Sequence, residues 1–546
     1  MEADRARLGP WIIFFLVFAM ELAFGMLMNS RGVFPNDAAS RASLALNALY
    51  GSDPHLAAIG FSWMPLPTML ELSTAALYPF WTAVVSSGFA FTAITAVAAG
   101  ASGALLLVTC SRLKLPAWIG WCYALVVLAN PMLFLYGANG LSEGVGAPFF
   151  IGSVCFLTLY WHSGQRLYVG ASGLCLAFAF ACVYEATFFG AALLVALAGG
   201  LLWSSESRGS NFQGRCRAIQ GLGLTLIVPS VFLGALWLVT NAVVMGDPLY
   251  FTHGTYSSFS QNRADAAVSV WNGAAYHFAG DVLGSLRFTL ERTWAFMLPM
   301  VFLLLVRALD RRLFRINSLS LIVVALSVPF GLITPLVYRG LSIGYLRYLM
   351  YPLFAAAGWG LYEIAISNHR RRAVCLVLVG WIAAGGATLW TMSVRAYGPE
   401  TESVVVKSVL TSKDGEQLGF ANTISLARPI ARVLEDGPMR DGGRVVADQL
   451  RAFAIAANLS PRYLHQLILT PDRRFHQIVA DPRRFGVRYF LVPSPEAFPT
   501  DQILRARPRL WSGDEPGFKL VTDFPSIDTP EHWRLYEVTE PDTAAR

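Results

Sequence analysis

The chain has 546 residues, of which 55% are hydrophobic and only 14% charged, and its formal net charge is +7. A soluble domain carries about 25% charged residues, so this composition excludes an ordinary soluble protein and places most of the chain in lipid. The basic excess is no nucleic-acid footprint, because the arginines sit in short loops between apolar runs and report topology instead.

A membrane span needs about 20 apolar residues, and on that rule the sequence predicts about eleven spans. They run over 11–28, 80–108, 117–135, 144–161, 168–183, 186–203, 219–245, 290–306, 318–338, 348–366 and 373–394. The first, from Trp11 to Met28, has a basic flank (Arg5, Arg7) but is too long for a signal-peptide core and lacks a small-x-small cleavage site, so it reads as a retained span. The run from Tyr168 to Trp203 is too long for one comfortable helix. It is divided at Tyr184-Glu185, because a glutamate is better placed at a boundary than in mid-bilayer.

Lysines and arginines in short loops orient the spans. With the N-terminus inside, the cytoplasmic loops hold Arg5, Arg7, Arg112, Lys114, Arg166, Arg208, Arg215, Arg217, Arg307, Arg311, Arg312, Arg315 and Arg370 to Arg372. The outer loops hold Arg31, Arg41, Arg263, Arg287, Arg292, Arg339 and Arg347. Eleven spans then leave the C-terminus outside. The cysteines all fall in apolar runs or in these inner loops, none in the exported tail, and none has zinc-ligand spacing with histidine, so neither a disulfide framework nor a structural zinc is implied.

Two outer loops are long. The first, 29–79, ends in an apolar stretch interrupted by Pro65 and Pro67, which reads as interfacial. The second runs from Gly246 to about Arg287 and is rich in aromatic, Asn and Ser residues. The chain therefore divides into a membrane module, 1–394, and a tail, 395–546. In the tail, strand-like RVVAD, VRYFLVPS and HWRLYEVT alternate with helical QLRAFAIAANL, which predicts a small α/β domain. No Gly-rich phosphate loop is present, so no nucleotide site is assigned.

On this topology Asp37, Glu143 and Glu185 all reach the outer face beside the ends of spans. Charges there are costly and point to function. Each also has a plainer reading. Asp37, in GVFPNDAASR, would cap a helix over Ala38 to Tyr50; Glu143 would complement a helix dipole; Glu185 would face water in a short turn. Arg347, in GYLRYLMYPLF, is a cation at an outer span end, against the positive-inside trend. It would snorkel to headgroups or clamp a phosphate bidentately. Arg339 is a second candidate for that role.

The order of a first span, a long outer loop opening with an acid, interfacial helices, many spans and an outer soluble tail resembles the C-type integral-membrane glycosyltransferases. That class includes the protein O-mannosyltransferases and aminoarabinose transferases. The resemblance implies that Asp37 is the catalytic base. Many members have Asp-Glu there, whereas this chain has Asp37-Ala38, so the second acid must come from elsewhere. Glu143, in NPMLFLYGANGLSEGVG, resembles the second acidic position of bacterial relatives. Arg347-Tyr348 with Pro352 is similar to a segment near their last core spans, and DPHLAAIGFSWMPLP, with His55 and Trp63, resembles the juxtamembrane segment of some members.

The implied activity is inverting transfer of a sugar from a polyprenyl-phosphate donor to an acceptor hydroxyl on a protein, lipid or glycan. It would take place on the outer face of a bacterial plasma membrane. Arg347 and Arg339 would meet the donor phosphate, Glu143 would act with Asp37, and Glu185, His55 and Trp63 would line the substrate. Glu143 and Glu185 would also be positioned to help hold a divalent cation. A transporter or flippase would instead show internal repeats and broken helices at the midplane; no repeat is read and the acids lie at one surface. A non-catalytic envelope scaffold would tolerate loss of Asp37, Glu143 and Arg347 together.

Overall fold

The computed structural model describes residues 2–203, 212–254, 257, 260, 277–313, 316–342, 344–394, 397, 401–420, 423–496, 498–525 and 532–539. Three charges used for orientation (Arg208, Arg263, Arg315), much of the second long loop and the boundary residue Arg395 lie outside these, and the side chains of Arg5 and Arg7 are not described. Two compact units form. One contains 1–25, 92–248 and 269–412, the other 26–91, 249–268 and 413–546.

The first unit is helical. Seven helices in the described residues are long and apolar enough to cross a membrane: Leu8–Ser30, Phe89–Arg112, Ser142–Ser163, Phe212–Met245, Val282–Leu309, Ser318–Tyr338 and Arg370–Ser393. Ala117–Leu128 and Pro131–Ala138 make an eighth if they count as one span, bent by 76°. The bend has a local cause. Asn130 caps the second helix by accepting from the Met132 N–H at 3.1 Å, and Pro131 follows at the first helical position, where its missing N–H costs nothing. Asn130 also donates to Thr388 at 3.3 Å, tying the bend to the Arg370–Ser393 helix. Leu167–Cys182 and Ala186–Trp203 are shorter apolar helices that break at Val183 to Glu185, where the sequence divides them.

The expected span at 80–108 starts later, at Phe89. Gly88 turns the chain with φ +80°, and the apolar residues before it do not extend the helix. Phe80 and Trp81 are surface aromatics, of the kind that settle at a membrane interface.

At the middle of this unit lies the helix Tyr351–Ile366, buried on every side from Tyr351 to Ile364. A helix that is apolar all round belongs in a core, and small residues let its neighbours approach. A Cβ on Gly358 would meet the Val154 side chain at 2.5 Å, and one on Gly360 the Tyr123 hydroxyl at 2.2 Å. That hydroxyl hydrogen-bonds to the carbonyls of Ala356 and Ala357 at 3.0 and 2.9 Å. Lower in the same helix, Glu363 accepts from Arg307 at 2.5 Å and from the Trp359 indole at 2.9 Å, while Arg307 also donates to Ser318 at 2.9 Å.

The second unit contains a five-stranded sheet of order β2-β1-β3-β5-β4, with β1 Arg444–Ala447, β2 Leu467–Leu469, β3 Val487–Pro493, β4 Phe518–Phe524 and β5 Trp533–Val538. β1 pairs in parallel with β2 and β3; β5 runs antiparallel to β3 and β4. Val446, Ile468, Phe490, Val492 and Tyr536 meet Phe475, Ile478 and Leu510 in its core. The first loop belongs to this unit. Its helix Asn36–Tyr50 is buried from Ala38 to Ala48.

Removing one partner from the Arg307–Glu363 pair leaves a charge stranded at 2% or less exposure. Glu363→Ala is therefore expected to cost about 3–5 kcal/mol, whereas replacing both partners with apolar residues of similar volume costs far less. Unfolding of the detergent-solubilised protein measures this, and a single-variant loss under about 1 kcal/mol would contradict it.

Candidate functional site

Glu143 stands in the first turn of Ser142–Ser163, where the helix dipole favours an acid. The chain reaches it through Asn139-Gly140-Leu141. Gly140 adopts φ +79°, a conformation that suits glycine. Its N–H donates to Thr95 at 3.1 Å, and the Asn139 side chain accepts from the Leu141 N–H at 3.1 Å. Ser142 donates to one carboxylate oxygen of Glu143 at 3.1 Å. Arg347 faces the other. It sits in the short helical turn Leu346–Leu349 that leads into the central Tyr351–Ile366 helix.

Arg347 Nε and Glu143 Oε1 are 3.4 Å apart, with side chains 14% and 5% exposed. The guanidinium also lies 4.8 Å from the Tyr345 ring centre and 5.2 Å from that of Tyr348, and it donates to the Tyr348 hydroxyl at 3.4 Å. A desolvated cation between two tyrosine faces gains from both ring quadrupoles. Tyr351, the first residue of the central helix, packs edge-on against Phe150 at 5.1 Å.

Two further carboxyls feel these charges. Glu185 occupies the break between Leu167–Cys182 and Ala186–Trp203. Part of its surface stays accessible, yet dense packing around it, reinforced by the Glu143 charge, pushes its carboxyl up to about 7. Glu402, the first residue of the helix Glu402–Thr411, is 4% exposed and accepts from the Tyr136 hydroxyl at 2.9 Å. Burial raises its carboxyl above the usual range, against the pull of Tyr136 and Arg347. One guanidinium thus stands in the field of three carboxyls, two of which favour the proton more than a solvated glutamate does.

The structure brings together Glu143, Glu185 and Arg347 from the sequence-derived candidates. Arg339 ends the helix Thr334–Tyr338, is exposed, and takes no part in the Glu143 ion pair. The second unit holds the rest. Asp37 is half-buried in the first turn of Asn36–Tyr50. It is not the helix cap, as its plainer reading has it. That position belongs to Pro35, which has no side-chain acceptor, and Asp37 lies two residues inside. His55 donates through Nδ1 to the Asp53 carbonyl at 2.6 Å, and Trp63 stacks 4.7 Å from the Arg41 guanidinium. Each is thus engaged by a neighbour in its own loop. Sequence reasoning missed Glu402 and Tyr136. An acid that opens a helix just beyond the last span was the available signal for Glu402. Among the described residues, no group of three or more His, Cys, Asp or Glu is arranged to hold a metal ion.

No protein-family model matches the sequence, and no curated protein matches it. Among solved structures, the chain is similar to ArnT from Cupriavidus metallidurans bound to undecaprenyl phosphate. The TM-score is 0.52 and the identity 13%, over 98% of this chain and 100% of that one. The apo state of that protein gives 0.49 and 12%, over 97% and 99%. The apo Archaeoglobus fulgidus oligosaccharyltransferase gives 0.45 and 11%, over 89% and 70%. Identity this low speaks for the fold alone. This integral membrane protein has the fold of the C-type glycosyltransferases, with a small C-terminal sheet domain.

Proposed function

We propose that this protein transfers a sugar from a polyprenyl-phosphate donor to an acceptor hydroxyl, on the extracytoplasmic face of a bacterial plasma membrane with its N-terminus inside. The observation that carries this reading is the largely desolvated Arg347, oriented by Glu143 and framed by Tyr345 and Tyr348. It occurs in a fold shared with a transferase whose structure holds undecaprenyl phosphate. Arginine binds phosphate oxygens through a planar fork of donors, and a fork held by a carboxylate and two rings is already oriented before the ligand arrives.

In this mechanism Arg347 stabilises the negative charge that grows on the departing polyprenyl phosphate, and Glu143 fixes its direction. Asp37, by the resemblance, takes the proton from the acceptor hydroxyl. The acceptor oxygen forms its bond to the anomeric carbon as the bond to the donor phosphate breaks, and the electron pair leaves with the phosphate. The configuration inverts. Glu185, protonated below about pH 7, is suited to hydrogen-bond a substrate hydroxyl. Arg339, exposed at a helix end, is a second cation for the lipid phosphate. His55 and Trp63 are proposed to act through the first loop, and Glu143 and Glu185 would help to hold a divalent cation only together with further ligands.

Transfer from a panel of radiolabelled polyprenyl-phosphate sugars in membranes tests the proposal. Asp37→Asn is expected to lower transfer by about 10²–10⁴-fold in correctly inserted protein. Wild-type transfer in that variant removes Asp37 from the mechanism, and no transfer by wild type with any donor overturns the function. Arg347→Ala is expected to raise the donor KM as well as lower kcat.

A second expectation concerns pH. Above about 7 an ionised Glu185 adds a negative charge beside Arg347 and opposes the phosphate. The donor KM should therefore rise as pH passes upward through 7, and Glu185→Gln should flatten that rise. An identical pH profile in the variant would show that Glu185 does not tune the site.

A further inference from the structure

In the parallel half of the tail sheet, β2 lies on one side of β1 and β3 on the other, so the chain reverses its direction of travel about β1. Open α/β sheets take their ligands outside the carboxyl ends of the strands at such a point. Here the chain itself occupies that edge. Asp448, the residue after β1, accepts from the Leu450 N–H at 2.9 Å and from the Gln502 N–H, beyond β3, at 2.8 Å. It thereby bridges the ends of the two strands.

The rest of the edge meets the first loop. Gln449 donates to Ser43 at 3.5 Å, and Ser52 donates to Asp472 at 3.1 Å. Arg473 donates to Asp53 through Nε at 2.8 Å, Nη2 at 2.7 Å and its own backbone N–H at 3.3 Å. Away from that edge, past the far end of the helix Gln449–Ala456, the Tyr78 hydroxyl donates to the Leu459 carbonyl. Ser43 lies on the helix that carries Asp37, and Ser52 and Asp53 follow its last turn.

We propose that the carboxyl edge of the tail sheet is a docking surface for the chain's own first loop, and that Arg473, acting through Asp53, is a positioning residue for the helix bearing Asp37. A helix of 15 residues is marginal by itself in water. The buried face of this one is mostly alanine and serine, which supplies area but little shape to fix its rotation. Three donors on one carboxylate set both distance and angle. The Arg473 hydrogen bond also pulls the Asp53 carboxyl down to about 2, so the clamp is ionised throughout the neutral range. The tail then acts by holding the loop; the docking stands on its own contacts, while the consequence for Asp37 rests on the function proposed above.

The test compares Asp53→Arg, Arg473→Asp and the double exchange in the full-length protein, with Asp53→Asn and Arg473→Gln as milder forms. Hydrogen exchange over 36–53 reads the docking, and exchange over β3 reports whether the tail remains folded. Each single reversal should speed loop exchange about tenfold or more and lower kcat on the order of tenfold with donor KM little changed. The double exchange should restore both. Unchanged loop exchange in the single variants, no restoration in the double, or loss of protection in β3 together with the loop would overturn the proposal. If wild type transfers no sugar, exchange still decides the docking, and the assigned function alone falls.

Discussion

The first unit depends on taking a guanidinium out of water without stranding it. Arg347 achieves this with Glu143 at 3.4 Å and two tyrosine faces within about 5 Å. The pair cannot be a cheap source of stability, because desolvating two ions costs several kcal/mol that their attraction only partly returns. Its place in the fold accounts for it better. It stands where the fully buried Tyr351–Ile366 helix begins, so the most rigid element of the unit fixes the cation's position. The other buried pair on that helix, Arg307–Glu363, is closed by Trp359 and Ser318. One end of the helix thus holds a pair tied to two neutral neighbours, and the other a pair in the field of two further acids.

Those further acids give the site its electrostatic character. Were all three carboxyls ionised, the region would carry two excess negative charges and repel a phosphate. Burial resists that state by holding Glu185 and Glu402 toward the protonated form. The same desolvation that makes the carboxyls poor anions makes them good hydrogen-bond donors, which suits the phosphate and hydroxyls of the proposed reaction.

Much of this was legible in the sequence for a physical reason. Glu143, Glu185 and Arg347 were conspicuous because each charge lies beside an apolar run, where its cost is highest. Glu402 was not, because it sits in a polar stretch where an acid looks solvated, and only the fold shows it buried. The tail repeats the lesson. β1, β3 and β5 were visible as apolar runs, and they are the three inner strands. The two that escaped, β2 and β4, are the edges. β2 is apolar but only three residues long, too short for a strand pattern to show, and β4 is half exposed, with no apolar face to mark it. That the first loop joins the tail was equally invisible, because the contacts are single polar pairs separated by about 400 positions, such as Ser52 with Asp472.

The likeness at 13% identity follows from what this fold asks of a sequence. Apolar helices of sufficient length, small residues where they cross, and a capped bend at Asn130 can be supplied by many sequences, so the architecture survives wide divergence. The chemistry is not carried by those features. The chemistry proposed above rests on a few charged side chains whose placement costs energy. In the first unit that placement falls to Glu143, Glu185 and Glu402, three carboxyls on three different segments in the field of one guanidinium.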